Sequence, residues 1–161
     1  MFFQKKSNIT DLTKRVAVYA SYKHKHLILA ARCQNDAGII YEQGICYDHP
    51  LPIDMEELGI KIIEFLNLYR VIDKNLRDSK SNEWPAFKSS KSKSVRSFES
   101  EYIHISIDGS NNKNLGLIIS GLPYKQSRIS VVSSVSFFED KEVIGERVME
   151  LYEACLSGKL F

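Results

Sequence analysis

Apolar runs in the first third of the chain are short and bounded by polar residues, which is typical of β-strands. Residues 16–22 and 27–33 are rich in β-branched, aromatic and aliphatic side chains, and a short polar stretch separates them, so they predict a β-hairpin. Residues 39–47 return to this composition before Pro50 and Pro52 interrupt it. The pattern therefore predicts three consecutive strands.

Apolar residues then recur at spacings of three and four, the period of an amphipathic helix. The first such helix follows Asp54, a candidate N-cap, with Glu57 three residues beyond it. Its apolar stripe consists of Met55, Leu58, Ile62, Phe65, Leu66 and Tyr69. Glycine inside a helix costs about 1 kcal/mol relative to alanine, so we expect Gly59 to permit close packing against the sheet. A second helix is predicted over residues 139–158.

Three further strands are predicted between these helices. Residues 102–108 alternate strictly and place three isoleucines on one face. Residues 115–119 and 129–137 have a similar strand-like pattern. Because the order of elements lacks βαβ alternation, we expect an α+β fold, a mainly antiparallel sheet of about six strands with two main helices packed on one side of it.

The segment 73–97 has no apolar periodicity and consists largely of Lys, Arg and Ser around one aromatic island. A loop of this length without structure is unusual in a compact domain. We therefore expect Trp84 and Phe87 to anchor it, with short helical turns near Pro85 and Val95. The segment is then part of a single domain that spans residues 1–161.

Composition places the chain among ordinary globular proteins. Of its 161 residues, 43% are hydrophobic and 26% charged, and the formal net charge is +2. This balance indicates neither a strong nucleic-acid binder nor an acidic mimic. The apolar runs are shorter than the roughly 20 residues of a membrane span. Two phenylalanines precede two lysines at the N-terminus, the reverse of a secretory signal, and the three cysteines do not suggest a disulfide framework. We expect a cytoplasmic location.

Candidate catalytic and metal-binding residues are few. His24, His26, Cys46 and His49 carry ligand types that suit zinc, but their spacing is not that of a common finger or ribbon, so we predict no metal site. His24 and His26 would also suit acid–base work on a phosphodiester, although an exposed hairpin tip is the better interpretation. Glycine-rich phosphate loops, a serine nucleophile elbow and a helical HExxH pair are absent. The sequence favours a protein that is not an enzyme and has no cofactor.

The basic segment supports a second hypothesis, a small nucleic-acid-binding domain. Its Lys and Arg residues at 74, 77, 80, 88, 91, 93 and 96 would follow a phosphate backbone. Trp84 and Phe87 would then stack on bases. The alternative is a solvated lysine surface around a buried aromatic pair, which the near-neutral charge of the whole chain favours.

Three stretches carry a family resemblance: residues 38–42 (GIIYE), 57–59 (ELG) and 83–99 (EWPAFKSSKSKSVRSFE). Together they resemble the immunity proteins of bacterial contact-dependent growth inhibition systems, which are chains of about this length. The resemblance implies a cytoplasmic protein that binds the toxic C-terminal domain of a cognate effector, often a nuclease. It would neutralise that domain by covering its active site or substrate groove, without catalysis and without binding membrane or nucleic acid.

An inhibitor of a basic nuclease is usually acidic, whereas this chain is slightly basic with its positive charge concentrated in residues 74–96. Either the charges segregate by face or the toxin is unusual. Acidic groups near the first helix are the candidates for the partner contact, because they can mimic phosphates: Asp48, Asp54, Glu56, Glu57 and Glu64. Their alternative role is compensation of the helix dipole and solubility.

Overall fold

The computed structural model describes residues 12–75, 83–123 and 129–157. Within these ranges the strands are β1 Arg15–Ser21, β2 His26–Gln34, β3 Ile40–Pro50, β4 Ile103–Gly109, β5 Gly116–Gly121 and β6 Val131–Ser136. The helices are α1 Met55–Asn67, α2 Pro85–Ser89, α3 Val95–Glu101 and α4 Lys141–Ser157. The α+β prediction is confirmed, and both long helices lie where the helical period predicts them.

The strands form one six-stranded sheet in the order β3-β2-β1-β4-β5-β6, with every neighbouring pair antiparallel. The predicted hairpin is β1 with β2, and β4 pairs with the other edge of β1. The two halves of the chain therefore meet at the centre of the sheet. The β2–β3 register shifts between Ala30 and Arg32, a bulge at which Gly44 adopts a φ of 86°. Glycine has no Cβ and takes this left-handed conformation without strain.

Helices α1 and α4 cover one face of the sheet and enclose the larger core. The central strands supply fully buried residues such as Val18, Leu29, Ile105 and Ile119. The start of α1 follows the predicted cap, because the Asp54 side chain accepts a hydrogen bond from a backbone N–H of the first turn. No helix among the described residues is long and apolar enough to cross a membrane.

Two glycines set the distance between α1 and α4. A Cβ atom at Gly59 would lie 1.7 Å from the carbonyl oxygen of Lys141, and one at Gly145 would lie 2.0 Å from that of Met55. The backbones of α1 and α4 are therefore in contact at these two positions, because glycine has no side chain that would hold them apart. The expectation that Gly59 packs against the sheet is wrong, because the backbone that approaches it belongs to α4.

Residues 83–102, which we call the strap, cover part of the opposite face. Trp84, Ala86, Phe87, Phe98 and Tyr102 pack there on Ala17, Tyr19, Ile28 and Ala30. The predicted anchoring by Trp84 and Phe87 is confirmed, as are the helical turns near Pro85 and Val95, which are α2 and α3. Both main helices lie on one side of the sheet as predicted, and the strap adds the short helices α2 and α3 on the second face. Basic positions 77 and 80 lie outside the described residues.

Candidate functional site

A cleft of about 1170 Å³ lies between the strap and the edge strand β3. Its lining includes Tyr19, Arg32, Tyr41, Glu42, Gly44, Cys46, Lys74, Glu83, Trp84 and Lys88. The β3 bulge and α2 form its two sides. The volume exceeds the roughly 300–1,000 Å³ that is common for small-molecule pockets, which suits a segment of a macromolecule.

Glu42 ties the strap to the sheet beside this cleft. One carboxylate oxygen, Oε1, accepts hydrogen bonds from the Tyr19 hydroxyl at 2.7 Å and from Trp84 Nε1 at 2.9 Å. The other, Oε2, accepts one from the backbone N–H of Ala86 at 2.9 Å. Burial and the Glu42 carboxylate raise the pKa of Tyr19, so its hydroxyl remains a donor. One side chain thus joins β1, β3 and the strap.

The aromatic residues of the strap pack among themselves and against β1. The Trp84 ring meets Tyr19 and Phe98 edge to face, with centroid distances of 5.8 and 5.0 Å. Phe87 lies tilted against Phe98 at 6.0 Å. These contacts hold the rings in a cluster that covers Ala17 and its neighbours on the sheet. Trp84 and Phe87, which a nucleic-acid interface would use for stacking on bases, therefore pack within this aromatic cluster.

Arg32 lies at the floor of the cleft and is held by β4. Its Nη1 donates to Ser106 Oγ at 3.0 Å, and its Nη2 donates to His104 Nε2 at 2.8 Å. The His104 ring stacks on Tyr19 with centroids 4.9 Å apart. Burial of the ring and the Arg32 charge lower the pKa of His104 to about 4, so at neutral pH it is an uncharged acceptor. The guanidinium is thereby fixed in position.

The cationic side chains of the cleft are Arg32, Lys74 and Lys88. Lys74 Nζ lies 5.6 Å from the centroid of the Tyr41 ring. Within the described part of the chain, no ion pair within 4.0 Å joins any of the three to a carboxylate. Glu42 meanwhile accepts three hydrogen bonds from other groups. The lining also includes the carboxylates Glu42 and Glu83, so its three cations exceed its carboxylates by one, and Tyr19, Tyr41 and Trp84 add aromatic surface.

A second polar cluster holds the far end of the strap to the β1–β2 turn. Glu101 accepts hydrogen bonds from His24 Nε2 at 2.8 Å, from Ser92 Oγ at 2.6 Å and from Lys23 Nζ. These donors, His24 first, lower the pKa of Glu101 to about 2. The strap is therefore fastened by a carboxylate at each end.

His26 is only 3% exposed, so the expectation that it belongs to an exposed hairpin tip is wrong. Its Nδ1 contacts the Tyr102 hydroxyl at 3.0 Å and its Nε2 approaches Asp48 Oδ2 at 3.5 Å. Burial lowers the pKa of His26, partly opposed by Asp48. Over residues 12–75, 83–123 and 129–157, no group of three His, Cys, Asp or Glu side chains is arranged to hold a metal ion.

Four of the five predicted contact residues lie on or next to α1. Asp54 accepts from the backbone N–H of Glu57 at 2.9 Å, and the Glu57 carboxylate accepts from a β3 tyrosine hydroxyl at 2.6 Å. Glu64 pairs with a lysine on the same helix at 2.8 Å, and Glu56 is exposed in the first turn. Asp48 instead lies on the strap side of the sheet, opposite Ile28 in the register. The structure does not bring all five together.

Charges segregate by face among the described residues. The helix layer exposes Glu56, Glu64, Glu142, Glu146, Glu150 and Glu153 together with Arg147. The strap exposes Lys88, Lys91, Lys93 and Arg96 together with Glu83 and Glu99. The excess is negative on the first face and positive on the second, although the whole chain is close to neutral.

Sequence reasoning did not identify Arg32, His104 or Glu42 as site residues. Arg32 nevertheless gives a signal, because a guanidinium interrupts the apolar stretch of β2 and requires polar partners. Glu42 lies in the stretch GIIYE that carries the family resemblance. His104 lies on the outward face of β4. Alternation alone does not show whether a side chain on that face is solvated or hydrogen-bonded to another side chain.

No family model and no curated protein sequence matches the chain. Among solved structures, a protein of unknown function from Neisseria meningitidis superposes with a TM-score of 0.71 at 17% identity, covering 97% of this chain and 100% of the other. A chain of the CdiA-CT/CdiI toxin and immunity complex from Yersinia pseudotuberculosis superposes with a TM-score of 0.66 at 12% identity, covering 90% and 98%. The chain therefore shares its fold with a component of a toxin and immunity complex.

Proposed function

We propose that this chain is an immunity protein. It binds the toxic C-terminal domain of a cognate contact-dependent growth inhibition effector, a nuclease, in the cytoplasm and blocks its active site or substrate groove. The observation that carries the proposal is the fold shared with a chain of the CdiA-CT/CdiI toxin and immunity complex, over 90% of this chain and 98% of the other. The resemblance of the stretches GIIYE, ELG and EWPAFKSSKSKSVRSFE points to the same family independently.

The cleft supports this proposal because its polar groups are already held in place. Arg32 is fixed by two hydrogen bonds to β4, and Glu42 by three donors. A surface that is ordered before binding loses less conformational entropy when a partner docks. Such preorganisation suits an inhibitor that has to bind tightly.

The nucleic-acid alternative depends on Trp84 and Phe87 as stacking platforms. Both rings pack against Phe98 in the strap, and Trp84 Nε1 donates to Glu42. Both rings are only partly exposed, so stacking a base over the full face of either ring would require breaking these contacts. Their engagement favours a protein partner over a nucleic acid.

We propose the acidic rim as one part of the toxin contact, with Asp48, Asp54, Glu56, Glu57 and Glu64 as its candidates. Glu56 and Glu64 are the exposed members on α1 that can be changed without removing the Asp54 cap or the Glu57–Tyr47 hydrogen bond. Glu56→Lys combined with Glu64→Lys should weaken toxin binding, while Glu153→Lys on α4 serves as the control. Equal binding by both variants would remove this surface from the proposal.

Co-expression tests the function itself. The chain is produced together with the C-terminal domain of the protein encoded immediately upstream, and growth and complex formation are measured. We expect a stable complex and rescue of cells from that domain. The proposal fails if the two proteins do not copurify and the cells still die, or if the chain is toxic when expressed alone.

A further inference from the structure

We propose that the cleft between β3 and the strap binds an acidic segment of the partner toxin, whose carboxylates pair with Arg32, Lys74 and Lys88. This inference rests on the proposed immunity function and assigns to it a contact surface on the face opposite the α1 members of the predicted acidic rim. It also gives a role to Lys88, one of the basic residues of the strap, which phosphate mimicry leaves unexplained.

The charge of the cleft selects the occupant. Three cationic side chains line it, and none forms an ion pair within 4.0 Å with a carboxylate of the described residues. Glu42 is committed to Tyr19, Trp84 and Ala86. The lining holds three cations against the two carboxylates Glu42 and Glu83, and Glu42 is already engaged, so an incoming carboxylate meets an excess of positive charge.

The position of Arg32 makes it the inner contact. Its hydrogen bonds to Ser106 and His104 fix the guanidinium plane at the floor of the cleft. Because His104 is uncharged at neutral pH, its Nε2 accepts this hydrogen bond and orients Arg32 without repelling the guanidinium charge. A guanidinium held in this way binds a carboxylate with little further loss of rotamer entropy.

The outer contacts come from the two lysines. Lys88 is exposed on α2, and Lys74 is exposed beyond the end of α1 over the Tyr41 ring. Both ammonium groups are therefore available to pair with carboxylates of a segment that lies in the cleft.

Phosphate groups would also be attracted by these cations, so the test has to separate a protein segment from a nucleic acid. An acidic segment is favoured because the Trp84 ring, which borders the cleft, already makes edge-to-face contacts with Tyr19 and Phe98 and donates a hydrogen bond from Nε1 to Glu42. Single-stranded nucleic acid binding relies on exposed aromatic faces as well as charge.

The experiment compares two charge reversals on one strap. Lys88→Glu places a negative charge in the cleft, and Lys93→Glu makes the same change at an exposed position of the strap that does not line the cleft. Binding of each variant to the C-terminal domain encoded immediately upstream is measured by calorimetry at low and high salt. Circular dichroism and Trp84 fluorescence confirm that both variants are folded.

We expect Lys88→Glu to raise the dissociation constant at least about tenfold, with Lys93→Glu within about twofold of the wild type. Adding Lys74→Glu should weaken binding further. A toxin Asp or Glu that is changed to Lys and restores the affinity of the Lys88→Glu variant would identify the paired carboxylate.

The outcomes separate the two proposals. If the wild-type chain does not bind the domain, the immunity function and this inference both fail. If it binds, and Lys88→Glu binds as tightly as Lys93→Glu, the cleft assignment alone is overturned. Loss of single-stranded nucleic acid binding in the Lys88→Glu variant, with unchanged binding of the domain, also overturns it.

Discussion

Replacing Glu42 by Gln removes one acceptor from the anchor that holds the strap. The carboxylate accepts from Tyr19 and Trp84 through Oε1 and from the Ala86 backbone through Oε2. A glutamine has one oxygen and one NH₂ group. In either orientation its NH₂ faces an N–H donor, that of Ala86 or that of Trp84, so at least one hydrogen bond is lost and two donors oppose each other.

The size of the effect follows from these contacts. Leaving a buried donor without its acceptor costs about 1–3 kcal/mol, and hydrogen bonds to a charged group contribute about 1.5–3 kcal/mol each. We therefore expect Glu42→Gln to lower the free energy of unfolding by about 2 kcal/mol. Glu42→Ala, which removes all three bonds, should cost more.

Trp84 provides the assay because it is the only tryptophan of the chain and one of the three donors. Urea unfolding followed by its fluorescence gives the stability, and amide exchange at Ala86 reports on opening of the strap. Glu99→Gln, an exposed change on the same strap, is the control. Stability and Ala86 protection equal to those of the wild type in Glu42→Gln would refute the anchoring role.

Three further predictions test other parts of the fold. Gly145→Ala should lower the free energy of unfolding by about 1–3 kcal/mol, because a Cβ only 2.0 Å from the Met55 carbonyl oxygen forces the helices apart. This cost outweighs the gain of about 1 kcal/mol in helix propensity. Denaturant unfolding, with Glu146→Ala as the control variant, measures the difference. The pKa of Glu101 is lowered from 4.5 to about 2, so its contribution to stability is present above pH 4.5 and is lost as the pH falls towards 2. Glu101→Gln should flatten that part of the pH–stability curve, and an unchanged curve would contradict the cluster. The pKa of His104 is lowered from 6.5 to about 4, so stability is lost as the pH falls from 6.5 to 4. Titration of its imidazole by NMR should give that low value, and a midpoint near 6.5 would contradict the stacking on Tyr19 and the contact with Arg32.

An inhibitor of a nuclease is usually acidic, whereas this chain is slightly basic; the separation of its charges between two faces removes this conflict. Glutamates on α1 and α4 give the helix face its negative excess, while the strap carries the positive excess. Near-neutral net charge therefore conceals two surfaces of opposite sign. Comparing Glu56→Lys and Glu64→Lys with Lys88→Glu would determine which of the two surfaces the proposed toxin partner contacts.

Local patterns in the sequence determined the secondary structure. The alternation around Ile105 predicts β4, and the three-and-four spacing after Asp54 predicts α1, because each signal depends only on residues close together in the chain. The aromatic island at Trp84 likewise predicts that an otherwise irregular basic segment is anchored. These expectations needed no knowledge of which strands are neighbours.

Only the tertiary structure decided what these elements build. Alternation assigns residues to a face but not to a neighbour, so it does not predict that β4 pairs with β1 or that the strap crosses the second face. Glu42 and Trp84 are 42 positions apart and Arg32 and His104 are 72 apart, yet each pair is joined by a hydrogen bond. The side chains of the cleft are held in place by such contacts between residues far apart in the sequence. These contacts form together when the chain folds, and no local sequence pattern predicts them.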